Sequence, residues 1–279
     1  MAAAVQSSST TAWASASTVV ITKPSGLAVG DLMLGHVGVN NQTVTAPAGW
    51  TTVINDVFSG GGDTEREYVF RKIADSTDVA ATNFTFTLSG SATCAGAMYR
   101  IDGFSAGTPI YTFDEAETLD STTPVIANTV TPLVANSLLI LLGLIRNTNS
   151  GATVGSYAIA TSSPSFTEVY DMNSSGGGGA SYGLFGAYGV RPQITATGDS
   201  TIAITGGAGG NDTIGAILVI PDSKDTTLTD TTTVTDLVKG DLGALIIETI
   251  TLTDSVTNEQ GKYFNQTKNS STWLNQDKS

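Results

Sequence analysis

The sequence predicts an all-β protein with two tandem antiparallel β-sandwich or jelly-roll-like domains and an extended Thr-rich C-terminal segment. Short apolar runs bounded by Gly, Asn and Pro turns follow one another along the chain, a pattern typical of antiparallel sandwiches. Only 13% of the 279 residues are charged, and Thr, Ser, Asn and Gly replace the missing charge. Thr also fits a pleated sheet well. A series of sequence blocks from the first half recurs in the same order in the second half.

The recurring blocks indicate a duplicated domain. Block 30–37 matches 136–143, an offset of 106 residues, and block 95–101 matches 214–220, an offset of 119 residues. The other matches are 47–53 with 164–169, the Gly-rich turn 59–63 with 175–179, 68–70 with 183–185, and 84–87 with 202–205. Loop-sized insertions account for the change in offset. The predicted organisation is an N-terminal arm at 1–16, a first sandwich with its linker at 17–120, a second sandwich at 121–221, and a C-terminal extension at 222–279.

Two apolar runs predict the central strands of the sandwiches. Residues 32–39 and 138–145 are apolar on both faces, a pattern that also fits a buried helix. Their short length and the Asn-rich turns that follow them favour buried strands. Residues 84–88 and 201–205 alternate apolar and polar side chains, which predicts half-buried strands.

The C-terminal extension differs in composition from both predicted sandwiches. Its Thr- and Asp-rich part contains one strand candidate, 244–252, whose partner is expected either in the sandwiches or in another subunit. Beyond it, an aromatic residue followed by Asn-Gln-x-Lys occurs twice, ten residues apart. Such a polar end is either frayed, as termini commonly are, or docks its aromatic residues on a partner. The candidate docking residues are Tyr263, Phe264, Asn265, Gln266, Trp273, Leu274, Asn275 and Gln276.

The charge balance and the single cysteine exclude several classes of protein. The formal net charge is −13, and no segment is basic, so neither a nucleic acid nor an anionic membrane is expected as a partner. Cys94 is the only cysteine, so no disulfide can form within the chain. Its apolar surroundings predict a buried core residue. The N-terminus lacks the features of a secretory signal, and the longest apolar run, 138–145, is too short to span a bilayer.

The sequence contains few of the residues that catalysis would need, and we therefore predict that the protein is not an enzyme. His36 is the only histidine, so any Ser-His-Asp or Cys-His device would need it. The second half has Leu142 at the matching position, which favours a histidine with a purely structural environment. The Gly-rich run 206–210 leads into a strand rather than a helix, which favours a turn over a phosphate loop. No catalytic residue, cofactor or metal site is therefore predicted.

One acidic cluster leaves a cation site open as an alternative. Asp114, Glu115 and Glu117, with Asp120 nearby, supply the carboxylate oxygens that calcium prefers. Their spacing matches no EF-hand, and they lie between the two repeats. A solvated linker is the favoured interpretation.

Two segments carry a resemblance to a known class of proteins. The run Lys23-Pro24-Ser25-Gly26-Leu27-Ala28-Val29-Gly30-Asp31-Leu32, followed by Ala46-Pro47-Ala48-Gly49-Trp50-Thr51, resembles a module of structural proteins of tailed bacteriophages. The C-terminal Asn-Gln-x-Lys echo is similar to short repeats that end phage virion proteins. The second half lacks the Gly-Asp pair and has Phe166 in place of Trp50.

The resemblance implies a non-enzymatic virion component, such as a head decoration, fibre or tail-associated protein. Such a protein would assemble in the host bacterial cytoplasm, form a homo-oligomer and contact other virion proteins. The alternative is a carbohydrate-binding or adhesin module that uses the Gly-rich loops of the sandwiches to bind a host-surface glycan.

Overall fold

Antiparallel β-strands make up most of the described chain, which confirms the predicted all-β class. The computed structural model describes residues 2–60, 63–119, 121–147, 153–161, 164–174, 181–205, 211–223, 228–239 and 245–256. The chain divides into two units, residues 1–224 and residues 225–279.

The first half of the larger unit contains one large sheet and a smaller layer beside it. Its elements are β1 (Ala4–Thr22), β2 (Leu32–Asn40), β3 (Val44–Thr45), β4 (Thr51–Gly60), β5 (Asp63–Ile73), the helix α1 (Ser76–Ala80) and β6 (Asn83–Asp102). The large sheet has the strand order β1-β6-β2-β5-β4, and β3 also pairs with β6. The strands β1 and β6 are long, and register shifts interrupt their pairing. Their far ends therefore form the small layer with β3.

The second half of this unit repeats the arrangement with shorter strands. Its elements are β7 (Thr112–Thr118), β8 (Val125–Ala127), β9 (Ser137–Asn147), β10 (Thr153–Ile159), β11 (Thr167–Asn173), β12 (Ser181–Arg191), β13 (Ser200–Thr205) and β14 (Asn211–Ile220). The large sheet has the order β11-β12-β9-β14-β7, and the small sheet has the order β10-β13-β8. Read in reverse, from β7 to β11, this strand order corresponds strand for strand to the order β1-β6-β2-β5-β4 of the first half.

The strand register agrees with the sequence repeat. Leu32 pairs with Ile101 in the first half, and Leu138 pairs with Ile220 in the second. Two blocks that were matched separately in sequence, with different offsets, thus meet at equivalent positions. The match of 68–70 with 183–185 is wrong by two residues. The strand register places Leu184, rather than residue 182, at the position equivalent to Glu67. The domain boundaries themselves remain a prediction.

Three hydrophobic cores hold the larger unit together. One lies between the large sheet and the small layer of the first half, and a second occupies the same place in the second half. The third core contains residues from both large sheets, which pack against each other through their remaining faces. In this stacking β1 lies near β11, and β4 lies near β14. The two halves therefore share a core, and residues 1–224 form one compact unit.

Two segments that the sequence assigns to connections are strands. Most of the predicted N-terminal arm, 1–16, belongs to β1 and pairs with β6 from Ala4 onwards. The predicted linker contains β7, which pairs with β14 at the edge of the second large sheet. Both segments are rich in polar residues because an edge strand presents one side to water. This composition made them look like unpaired chain.

The unit formed by residues 225–279 contains a β-hairpin. Strand β15 (Leu228–Lys239) pairs with β16 (Leu245–Val256), and the register runs without a shift from Leu228 opposite Val256 to Lys239 opposite Leu245. The predicted strand 244–252 corresponds to the first part of β16. Its partner is β15, from the same extension.

Candidate functional site

The residues that carry the phage resemblance build the framework of the first half. The Asp31 carboxylate accepts hydrogen bonds from the Ala28 amide at 2.8 Å and from Arg100 Nε at 2.6 Å, which ties the turn before β2 to β6. Gly30 has a φ of +95°, a conformation that favours glycine. The Trp50 ring packs edge-on against Phe84 and Phe86. These side chains position the strands of the first half.

A buried polar cluster lies between the two large sheets. His36 in β2 and Glu67 in β5 are both fully buried, and His36 Nε2 lies 2.7 Å from Glu67 Oε1. On the other side of the ring, His36 Nδ1 lies 2.7 Å from the hydroxyl of Tyr170, which belongs to β11 of the second half. The Tyr99 ring packs against Tyr170 with a centroid distance of 5.7 Å. The cluster therefore joins the two halves through polar contacts, and each ring nitrogen of His36 has a partner at 2.7 Å.

Burial controls the protonation of this cluster. Burial raises the pKa of Glu67, although its contact with His36 acts in the opposite direction, and the nearby Asp56 raises it further. Burial likewise raises the pKa values of Tyr99 and Tyr170, so both phenols stay protonated. A buried carboxyl with a raised pKa retains a proton or shares one with its partner more readily than an exposed carboxyl does.

The repeat shows that the fold does not require polar residues at these positions. The equivalents of His36, Glu67, Tyr99 and Tyr170 in the opposite half are, in that order, Leu142, Leu184, Leu218 and Ile54. All four belong to the same inter-sheet core. One side of the pseudo-symmetric interface is thus aliphatic where the other side is polar.

A second set of polar contacts continues the cluster towards the ends of the strands. Arg146 in β9 is buried, and its guanidinium lies 3.2 Å from Glu65 Oε1 and 3.3 Å from Asp212 Oδ2. The Trp13 ring packs against Tyr182 and its indole N–H donates to the Met172 carbonyl at 2.8 Å. These contacts connect β1 and β5 to the second sheet.

The carboxylate–imidazole–hydroxyl order of Glu67, His36 and Tyr170 has the sequence of groups found in nucleophilic triads. A substrate must reach the hydroxyl for such a triad to act. Tyr170 is only 6% exposed, and His36 and Glu67 are not exposed at all. All three side chains therefore lie inside the interface between the two large sheets.

The accessible candidate site is a groove between the edges of the two large sheets. Thr51, Thr52 and Val53 of β4 line one side with Arg71 of β5, and residues 110–113 line the other. The groove has a volume of about 370 Å³. The Tyr111 and Phe113 side chains are each 40% exposed. Arg71 is half-buried and makes no hydrogen bond or ion pair with any residue in the described part of the chain. Sequence reasoning missed this groove because 110–113 looked like linker.

The acidic cluster predicted near the linker lies on strand β7. Asp114 accepts hydrogen bonds from the Asn128 amide at 2.8 Å and from Asn128 Nδ2 at 3.0 Å. Burial and the neighbouring Asp56 raise the pKa values of Glu115 and Glu117. Within the described ranges, no three His, Cys, Asp or Glu side chains are grouped in a way that could hold a metal ion.

The other residues that the sequence analysis singled out are Cys94, Asp120, the Gly-rich runs and the C-terminal echo. Cys94 is buried, with its Sγ 3.6 Å from the Ala14 carbonyl oxygen, and burial raises the pKa of its thiol. Asp120 and the Gly-rich runs 176–179 and 206–210 lie outside the described residues. The eight candidate docking residues of the C-terminal echo, between 263 and 276, also lie outside them.

Comparison with known proteins does not identify a family. No family model matches the chain, and no curated protein and no solved structure is a match. In the part of the chain that the structure describes, no helix has the length and apolar character needed to cross a membrane.

Proposed function

We propose that the chain is a non-enzymatic structural protein of a tailed-phage virion, a surface decoration, fibre or tail-associated component that assembles with itself and with the particle. The observation that carries the proposal is the β-hairpin within residues 228–256, which belongs to a unit of its own. An isolated two-stranded hairpin is only marginally stable in water and needs further strands or another surface to pack on. Assembly with other subunits supplies such a surface.

The larger unit supports the same interpretation. Its two large sheets share a core, and their polar side chains contact each other across the interface. The residues of the phage-like module serve as framework, through the Asp31–Arg100 ion pair and the Trp50 packing. A unit whose two sheets are joined by a shared core and by polar contacts suits a structural component of the virion. The carbohydrate-binding alternative based on Gly-rich loops stays a prediction, since two of those loops lie outside the described residues.

Light scattering of two forms of the protein tests the proposal. The full chain and a form ending at residue 224 are purified, and their masses are measured at several concentrations. We expect the full chain to form a defined oligomer and the shortened form to lose it. Urea unfolding of both forms checks that the larger unit is folded. A full chain that stays monomeric, and that also fails to co-purify with phage particles at a fixed copy number, would contradict the proposal.

A further inference from the structure

The groove beside β4 combines two accessible aromatic rings with Arg71, which has no hydrogen bond or ion pair to the residues that the structure describes. Arg71 pairs in register with Thr51 and lies on the inner face of the first large sheet, next to the edge of the second. Phe113 pairs with Leu218, which belongs to the inter-sheet core, so it also lies on the inner face. Tyr111 lies directly before β7, and it lines the groove together with Phe113.

Arg71 is the group that selects the charge of a ligand. Three other arginines have clear partners: Asp31 for Arg100, Glu65 and Asp212 for Arg146, and Thr161 and Thr195 for Arg191. Arg71 has none in the described residues, although the chain has a net charge of −13. A guanidinium presents a planar fork of donors that matches a carboxylate through two parallel hydrogen bonds.

The two rings select the body of the ligand. The face of an aromatic ring is electron-rich and its accessible surface is apolar. The C–H face of a sugar ring carries small positive partial charges and packs well on such a surface. The Thr51 hydroxyl, at the position that pairs with Arg71, can donate to and accept from sugar hydroxyls. The groove volume of about 370 Å³ lies near the lower limit of sites for small ligands.

The acidic residues along β7 restrict the ligand further. Glu115 and Glu117 follow Phe113 on the same face of the strand, and Asp56 faces them closely enough to raise the pKa values of both. A strand rises by about 3.4 Å per residue, so Glu115 begins roughly 7 Å beyond Phe113. A polyanion lying along the groove would meet these carboxylates. A ligand with one acidic group, placed at Arg71, would not.

We propose that this groove binds a saccharide that ends in a single carboxylated sugar, with the carboxylate on Arg71 and the sugar ring on Tyr111 and Phe113. The inference does not depend on the virion assignment, because it rests on the groove alone.

Calorimetric titration of the full chain tests this inference. The probes are N-acetylneuraminyl-lactose and a glucuronosyl disaccharide, each paired with its methyl ester, which keeps the rings and removes the charge. We expect the acids to bind and the methyl esters to bind at least tenfold more weakly. Heparin, a polyanion, should bind more weakly than either acid.

Three variants locate the binding. Arg71→Gln should lower the affinity for the acids at least tenfold and leave the weak affinity for the esters unchanged. Phe113→Ala should weaken both acids and esters. Arg66→Gln is the matched control, because Arg66 lies on the same strand but on its opposite face. This variant should not change the affinity for any of the probes. Urea midpoints show whether each variant is folded.

Three results would overturn the inference. The first is the absence of binding by both acids. The second is equal binding of acids and esters. The third is acid binding that Arg71→Gln and Arg66→Gln weaken alike, which would indicate general charge attraction.

Discussion

Replacing His36 by leucine should destabilise the protein strongly, and replacing Glu67 at the same time should restore most of the loss. In His36→Leu the Glu67 carboxyl remains fully buried without its 2.7 Å partner. Leaving a buried polar group without its partner costs about 1–3 kcal/mol, and more if the group is charged. Replacing a whole buried pair by well-packed hydrophobic residues is often neutral, or stabilising by about 1–4 kcal/mol. Leucine is the appropriate replacement because Leu142 and Leu184 occupy the equivalent positions in the other half.

Urea unfolding followed by tryptophan fluorescence measures both effects. With an m value near 3 kcal/mol per molar urea, a loss of about 1–3 kcal/mol lowers the midpoint by roughly 0.3–1 M. The double variant His36→Leu/Glu67→Leu should unfold close to the wild-type midpoint or above it. Leu142→Ala serves as a cavity control in the same core, with an expected cost of about 2–5 kcal/mol. A double variant that is as unstable as His36→Leu would refute the reasoning, because the polar pair would then be needed for the packing itself.

The remaining predictions concern the same interface and its edges. Gly186→Ala should cost about 1–3 kcal/mol in urea unfolding, because a Cβ there would overlap the Tyr99 hydroxyl and lie 2.7 Å from the Tyr170 hydroxyl. Gly183→Ala is its control, since the added Cβ would come no closer than 3.0 Å to the end of a polar side chain, and a cost as large as that of Gly186→Ala would contradict the argument. The free energy of unfolding should fall as the pH rises above the ordinary pKa of a glutamate, because burial raises the folded-state pKa of Glu67. Its stabilising contribution is complete below the unfolded-state pKa and is lost as the pH rises through the folded-state pKa. Glu67→Gln should reduce this slope, and a slope identical to that of the wild type would exclude Glu67 as its source. Asp31→Asn should cost about 1–3 kcal/mol by weakening a half-buried charged hydrogen bond, and an unchanged urea midpoint would show that the turn does not need the charge.

The sequence predicted the strands whose apolar pattern is local. The apolar runs 32–39 and 138–145 correspond closely to β2 and β9, and the alternating run 84–88 lies in β6. Each of these strands has at least one buried face, so its hydrophobic period is visible without knowledge of its neighbours. The polar edge strands β1 and β7 were missed because their partners, rather than their own composition, make them strands.

The stacking of the two large sheets could not be predicted from the sequence. His36 contacts Tyr170 across 134 residues, and no local pattern indicates that these two positions meet. The groove depends on the same stacking, because Arg71 and Phe113 come from different sheets. A single sequence shows which residues are apolar. The shape of the complete sheets determines which two faces pack against each other.

Side-chain hydroxyls from the first half of β1 donate hydrogen bonds to the backbone edge formed by the second half of β1 and the turn that follows it. Ser7, Ser9 and Thr11 donate hydrogen bonds to the carbonyls of Ser25, Thr22 and Val20 at 2.8, 2.5 and 2.6 Å. Open carbonyls on an exposed sheet edge invite another chain to add a strand, and proteins often prevent this with charged side chains. Here short neutral side chains occupy those acceptors instead. A strand from a neighbouring chain would first have to displace these hydroxyls, so this edge is a poorer template for association than open carbonyls would be.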